Sequence, residues 1–266
     1  MKKKSLYLRR YVDRLQESGR YTFGRDEALK ELDMSPAALK LAARRLSRQG
    51  RLVSPQRGFF VIVPLEYKSS GSPPPPWFID QLMEFRSEPY YVGLLSAAAL
   101  HGAAHQQPQE FQVMTGRQMR LAVAGRSRIR FLLKKHIKRT ETIRLKTETG
   151  TMKVSTPEST ILDLVRYAPH AGGLNNIATI LSALAEKIDP KGLIEAARRD
   201  DDLPSAQRLG FLLEHIGEEA RVEPLAEWIK TSRARTVCLR PGGPVRRARK
   251  SARWKLIVNE DIEVPE

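Results

Sequence analysis

The chain has 266 residues, a length that suits one large domain or two smaller ones. Lysine and arginine total 46 against 30 acidic residues, so the net charge is +16 at pH 7. The single cysteine, Cys238, excludes an internal disulfide framework. No run of ~18 apolar residues is present to cross a membrane, and the first residues lack the apolar stretch of a secretory signal. We therefore expect a cytoplasmic protein with a polyanionic partner and no membrane association.

The positive charge is concentrated in three segments. Residues 1–66 carry a net charge of +8, residues 117–153 carry +10 and residues 233–255 carry +9. The segments between them are mildly acidic. Such segregation is typical of proteins that bind nucleic acid. The alternative explanation is a charged, soluble surface with an unstructured basic loop.

The first 66 residues contain three segments with helical spacing of apolar residues, followed by two short apolar segments around a Pro-Gln-Arg-Gly turn. The order helix, helix, helix, hairpin is that of a winged helix-turn-helix. Ser35 and Pro36 form a strong start signal for the third helix. The predicted elements are helices over about 5–17, 25–32 and 36–49, and strands over 51–54 and 59–63.

The predicted third helix has two different sides. Its apolar stripe would dock it on the rest of the domain, and its opposite side offers small, apolar and guanidinium groups to base edges and phosphates. Arg57, at the hairpin tip, is placed to enter a minor groove or meet a phosphate. An ordinary charged helix face or a protein-binding winged helix is the alternative. The predicted DNA-binding residues are Ser35, Ala37, Lys40, Leu41, Arg44, Arg45, Arg48 and Arg57.

Residues 69–76, rich in serine, glycine and proline, predict a linker. It would separate a domain of residues 1–68 from a larger mixed α/β domain of residues 77–266, which makes the chain α+β. Helices are predicted over about 77–85, 91–102, 174–187, 190–199, 204–216 and 222–231, with another beginning at Thr156-Pro157. Strands are predicted over 111–115, 128–133, 142–146, 151–155 and 254–258, the last returning to the main sheet.

Two phrases of the larger domain carry a resemblance. They are GLLSAAALHG over residues 93–102 and STPESTILDL over residues 155–164. Together with the N-terminal segment they resemble AbiEi-type antitoxins of bacterial abortive-infection (type IV) toxin–antitoxin systems. The resemblance covers most of residues 5–168 and is weak beyond about residue 170.

The resemblance implies a function for each domain. It implies that the winged helix binds inverted repeats in the promoter of its own operon, which is double-stranded DNA. It also implies that the larger domain neutralises a nucleotidyltransferase-like toxin, usually without a stable protein complex.

The middle basic segment predicts a second functional surface. Its charge favours an extension of the DNA contact, whereas the resemblance favours an antitoxic role for the same residues. The predicted residues are Arg117, Arg120, Arg126, Arg128, Lys134, Lys135, Lys138 and Arg139.

No catalytic or metal-binding set stands out in the sequence. His101 and His105 have a ligand spacing but lack an evident third ligand, and Asp200–Asp202 precede a helix start, where a cap is expected. Glu158 and Asp163 would point about 140° apart on a helix. We therefore predict no enzyme, no metal and no cofactor. A nuclease targeted by a winged helix and a nonspecific nucleic-acid-binding protein are the alternatives.

Overall fold

The structure, a computed structural model, describes residues 2–103 and 108–263, with only the backbone for residues 2–6. It is 48% helix and 20% strand, which confirms the predicted α+β class. The chain divides into two compact units. The first comprises Met1–Tyr90, Gln109–Lys134 and Arg144–Lys153, and the second comprises Tyr91–Pro108, Lys135–Ile143 and Val154–Glu266.

The α-helices of the described residues are α1 Lys2–Glu17, α2 Arg25–Leu32, α3 Pro36–Arg48, α4 Ile79–Phe85, α5 Leu94–Leu100, α6 Pro157–Arg166, α7 Gly173–Leu184, α8 Pro190–Asp200, α9 Leu203–His215 and α10 Glu219–Thr231. The strands are β1 Thr22–Gly24, β2 Leu52–Gln56, β3 Phe59–Ile62, β4 Tyr90–Val92, β5 Phe111–Thr115, β6 Ala122–Ala124, β7 Ser127–Leu133, β8 Thr142–Thr147, β9 Gly150–Ser155, β10 Val237–Cys238, β11 Arg249–Ser251 and β12 Leu256–Val258. Three sheets result, with the strand orders β1-β3-β2, β6-β7-β5-β4-β9-β8 and β10-β12-β11.

The first unit begins with a bundle of α1, α2 and α3 and the β1-β3-β2 sheet, which we call the N-terminal bundle. Each of its three helices and both predicted hairpin strands is present, and β1 adds a third, antiparallel strand. Apolar side chains of every element share one core, including Leu8, Phe23, Leu39 and Ile62. Burial of this core stabilises three short helices that would be only marginally stable as isolated peptides.

The predicted linker is packed against the body of the first unit. Ser72 is 2% exposed, and residues 75–77 form a 3₁₀ turn. The backbone amide of Arg126 donates to the carbonyl oxygen of Ser70 at 2.8 Å. A Cβ atom on Gly125 would lie 2.3 Å from that same oxygen, so glycine is required for the approach. The first unit therefore does not end at residue 68, because contacts between distant segments define it.

The second unit is built around α6, in which seven of ten residues are buried. The predicted helix over 91–102 is wrong at its start. Residues up to Val92 belong to β4, which pairs in parallel with β9 through Val154, and α5 begins only after an extended Gly93. Strand pairing at Val92 outweighs the helical spacing of the sequence.

The C-terminal residues form a small separate sheet. β12 lies between β10 and β11, so the prediction that it returns to the main sheet is wrong. Trp254 is fully buried, and its ring occupies the space where a Cβ on Gly210 would stand. The amide nitrogen of Gln207 donates to the backbone oxygens of Trp254 and Lys255 at 2.9 and 3.1 Å. These contacts anchor the segment on α9.

Candidate nucleic-acid interface and the antitoxin domain

The outward side of α3 is exposed along its length, as predicted. Leu39 and Leu46, on the inner side, are 2% and 3% exposed, whereas Leu41 on the opposite side is 49% exposed. The remaining residues predicted for the outward side, Ala37, Lys40, Arg44, Arg45 and Arg48, are also exposed.

The basic side chains of this side lack an acidic partner in the part of the chain that the structure describes. Across the described residues, no carboxylate lies within 4.0 Å of the charged groups of Lys40, Arg44, Arg45 or Arg48. Three neighbouring cations elsewhere in the bundle, Arg14, Arg20 and Arg51, are paired with carboxylates. The bundle therefore pairs these three cations and leaves those of α3 available to an external anion.

Local contacts fix where α3 begins and how it sits on the bundle. The hydroxyl oxygen of Ser35 accepts a hydrogen bond from the backbone amide of Ala38 at 3.3 Å, and Pro36 is the first helical residue. Ser35 thus serves as the N-cap that the sequence predicted. At the other end, Arg51 donates to Asp13 of α1 at 2.7 Å.

Glu27, in α2, bonds to α1 and to the segment that joins the two helices. Its carboxylate accepts hydrogen bonds from the Tyr11 hydroxyl at 3.0 Å, from Arg20 at 2.7 Å and from the Gly24 amide at 3.2 Å. Burial alone would raise the pKa of Glu27, but these donors outweigh it and lower the pKa below its ordinary value. Burial, followed by the nearby carboxylate, raises the pKa of Tyr11 to about 12. The ionised carboxylate therefore holds α2 against α1, the two helices on which α3 packs.

Arg57 lies at an ordered hairpin tip and is exposed. The hydroxyl of Ser54 donates to the carbonyl oxygens of Gln56 and Phe59 at 2.7 and 2.8 Å. Gly58 has a φ of +85°, a conformation that favours glycine, and its carbonyl oxygen accepts from the Arg25 amide at 2.7 Å. The tip is thus held by hydrogen bonds while the guanidinium of Arg57 projects from it.

The second predicted basic surface is only partly present. Lys134 is 2% exposed and cannot belong to any surface. It directly follows β7, and its backbone amide donates to the carbonyl oxygen of Thr115 at 2.9 Å. Arg117 is paired with Glu88, and Arg128 with Glu110 at 3.1 Å. Five of the predicted residues are exposed and have no acidic partner among the described residues. They are Arg120, Arg126, Lys135, Lys138 and Arg139. The first two belong to the first unit and the other three to the second.

The two phrases that carry the sequence resemblance contact each other within the second unit. The Nε2 atom of His101 lies 2.8 Å from the carbonyl oxygen of Ser155, and the Tyr91 hydroxyl donates to the buried Asp163 at 2.6 Å. The hydroxyls of Ser155 and Thr160 are 2.7 Å apart. The phrases thus meet through His101 and Ser155, and the second phrase also holds the buried hydrogen bonds of Thr160 and Asp163.

Residues 91–215 match the family model of the AbiEi antitoxin C-terminal domain. We call residues 91–215, the segment that matches this model, the AbiEi domain. The resemblance inferred from the sequence is confirmed for this segment, which extends to residue 215, beyond the expected limit near residue 170. The match supports a role as the antitoxin of a toxin–antitoxin system.

A solved structure shares the fold of nearly the whole chain. The crystal structure of the RV2827C protein from Mycobacterium tuberculosis superposes with a TM-score of 0.67 at 16% sequence identity, over 94% of this chain and 90% of that one. At this identity the likeness concerns the fold alone. No curated protein matches the chain in sequence. Among the described helices, none combines the length and apolar character needed to cross a membrane.

The residues weighed as catalytic have structural contacts in the AbiEi domain. Glu158 accepts a hydrogen bond from the Asp189 amide at 3.1 Å, and Asp163 is the buried partner of Tyr91. Asp202 is the N-cap of α9, as predicted. His105 lies outside the described residues. Within residues 2–103 and 108–263, no group of three or more histidine, cysteine or acidic side chains is arranged to hold a metal ion.

Sequence reasoning missed one pair of basic residues. Arg198 and Arg199, in the last turn of α8, line the same cavity as Lys138 and Arg139. The pair lies within a segment, residues 154–232, whose net charge is −5, so the charge pattern concealed it. Two adjacent arginines at a predicted helix end were the available signal.

Proposed function

We propose that this protein is the DNA-binding autorepressor and antitoxin of a toxin–antitoxin operon. The N-terminal bundle would act as a winged helix-turn-helix on inverted repeats of the operon's promoter, and the AbiEi domain would neutralise a nucleotidyltransferase-like toxin. The observation that carries the DNA-binding part is the outward side of α3, where exposed basic groups have no carboxylate partner among the described residues.

The residue types on α3 suit both kinds of DNA contact. Arg44 is long enough for bidentate hydrogen bonds to a guanine, and Ala37 and Leu41 offer apolar surface to thymine methyl groups. Arg45, Arg48 and Lys40 would neutralise phosphates, and Arg57 would reach a phosphate or a minor groove from the hairpin. Sequence preference and salt dependence would then arise from different side chains.

Binding to the native upstream region tests this assignment. The labelled promoter fragment and a shuffled fragment are titrated with the full chain at ~150 mM salt, a concentration at which nonspecific binding is weak. We expect the unmodified chain to bind the promoter fragment much more tightly than the shuffled one. If Arg44 reads a guanine, Arg44→Ala should weaken the free energy of binding by about 1–3 kcal/mol on the promoter fragment alone. Lys191→Ala, which removes a charge from the exposed face of α8, is the control and should leave the affinity unchanged.

Equal loss on both fragments would reassign Arg44 to a phosphate contact. Equal affinity of the unmodified chain for both fragments, with a steep salt slope, would favour the nonspecific binder instead. Cleavage of plasmid DNA in the presence of magnesium would favour the nuclease. Each alternative thus has its own outcome.

The antitoxin part needs a separate assay. The full chain and the Arg44→Ala, Arg48→Ala double variant are co-expressed with a nucleotidyltransferase-like protein encoded beside this gene. We expect both chains to restore growth, whereas only the unmodified chain represses a promoter reporter. Loss of rescue in the double variant would contradict the division of roles between the two parts of the chain.

The exposed residues of the middle basic segment lie in two different units, so each unit can be tested with its own variant. If the middle segment extends the DNA contact, Arg120→Ala with Arg126→Ala should weaken promoter binding. If it carries the antitoxic activity, Lys138→Ala with Arg139→Ala should reduce growth rescue while repression persists.

A further inference from the structure

A cavity of about 590 Å³ in the second unit is lined by six residues, four of which are cationic. The lining consists of Lys138, Arg139, Thr140, Glu141, Arg198 and Arg199. None of them is aromatic or aliphatic. A ligand held here is therefore recognised by charge and hydrogen bonds, and a planar ring would gain no stacking contact.

Three of the four cations have no carboxylate partner among the described residues. Arg199 is held by Glu141 at 2.6 Å and by Glu195 at 3.4 Å. The charged groups of Lys138, Arg139 and Arg198 have no acidic group within 4.0 Å in the same part of the chain. Like charges confined to one cleft repel each other, and an anion with several negative charges would remove that repulsion.

The backbone on both sides of the cavity is anchored. The 3₁₀ turn that carries Lys138 and Arg139 is fixed by buried Ile137, and the amide of Arg139 bonds to the carbonyl oxygen of His136 at 2.9 Å. On the other side, Ala197 is 1% exposed and its carbonyl oxygen accepts from the Asp201 amide at 3.1 Å. The cations are thus presented from two fixed supports, which reduces the ordering cost of binding.

The lining of the cavity separates a small anion from a nucleic acid. A nucleic-acid backbone needs an extended positive track, and single strands also use aromatic stacking platforms. The lining here consists of six residues that supply four cations and no aromatic platform, which suits a short polyanion better than a single strand.

We propose that this cleft binds a chain of linked phosphate groups, such as inorganic triphosphate or the triphosphate of a nucleotide. The cations of the 3₁₀ turn and of α8 would contact the phosphate oxygens from opposite sides. The inference does not depend on promoter binding, which we propose for α3.

Calorimetric titration of the full chain with inorganic triphosphate tests the proposal. The measurement uses a background of Arg44→Ala and Arg48→Ala, so that α3 does not compete for the anion. We expect one site per chain, with ATP free of magnesium binding within about threefold of triphosphate, because the lining gives the base no contact. A DNA oligonucleotide of 12 nucleotides should not displace the triphosphate.

Variants on both sides of the cleft locate the site. Arg139→Ala and Arg198→Ala should each weaken binding at least tenfold, and Arg198→Lys should restore part of it. Lys191→Ala, on the same helix but outside the cavity, should change the affinity less than twofold. Circular dichroism shows whether each variant is folded. The rise in Tm with added triphosphate reports binding independently of calorimetry.

Equal affinity in the cleft variants and in the Lys191→Ala control would overturn the proposal. So would a site that binds the oligonucleotide and not triphosphate, with the same loss in the cleft variants, since the ligand would then be a nucleic acid.

Discussion

The two sides of α3 predict opposite effects for two leucines that are two residues apart. Leu39 is 2% exposed in the core of the N-terminal bundle, and Leu41 is 49% exposed on the outward side. Truncation of a buried leucine to alanine removes its burial and leaves a cavity, at a cost of about 2–5 kcal/mol. Total stabilities are about 5–15 kcal/mol, so Leu39→Ala should remove a large fraction of the stability of the bundle.

Leu41→Ala should behave differently. An exposed substitution of leucine by alanine on a helix changes stability by less than about 0.5 kcal/mol. If the side chain covers a thymine methyl group, its loss should weaken promoter binding by about 1 kcal/mol, which is roughly fivefold. Leu39→Ala, in contrast, should lower DNA affinity only through the fraction of bundle that is unfolded.

Hydrogen exchange of the α3 amides is the suitable assay, because it reports the bundle separately from the second unit. We expect the protection of α3 to fall sharply in Leu39→Ala and to persist in Leu41→Ala, while fluorescence anisotropy shows the weakened promoter binding of Leu41→Ala. Similar protection in the two variants would refute the assignment of the two sides. Normal DNA binding by Leu41→Ala would refute the contact between Leu41 and a thymine.

Three further predictions concern stability. Gly210→Ala would place a Cβ atom in the buried ring of Trp254, so it should lower stability by about 3 kcal/mol or more in a urea titration, whereas Gly192→Ala, with neighbours at 3.5 Å, should be tolerated. Glu27 has a lowered pKa in the folded bundle, so its contribution to stability is present above its ordinary pKa of 4.5 and is lost as the pH falls through the folded pKa. Glu27→Gln should reduce this loss of stability in an acid titration followed by hydrogen exchange. An unchanged pH profile would contradict the role of the carboxylate. Ser35→Ala removes the N-cap hydrogen bond of α3 and should cost about 1 kcal/mol, measured as faster exchange in the first turn of the helix.

Local signals in the sequence predicted much of the N-terminal bundle and several later helices. Apolar spacing of 3.6 residues, the Ser35-Pro36 start and the turn at Gly58 act within a few residues of chain, so they are readable without the tertiary structure. The same local patterns identified the outward side of α3. Its use as a DNA-binding surface stays a proposal.

The tertiary structure alone decided the features that depend on distant segments. Pairing with Val154 makes Val92 part of a strand, although the apolar spacing around Val92 is helical. The close contact of Gly125 with the backbone of Ser70 and Gly71 shows that the predicted linker is packed. The fold buries Lys134, although it belongs to a segment of sequence that looks uniformly basic. The cavity that joins Arg139 to Arg198 exists only after folding, because composition records which charges a chain carries and long-range contacts determine which of them meet.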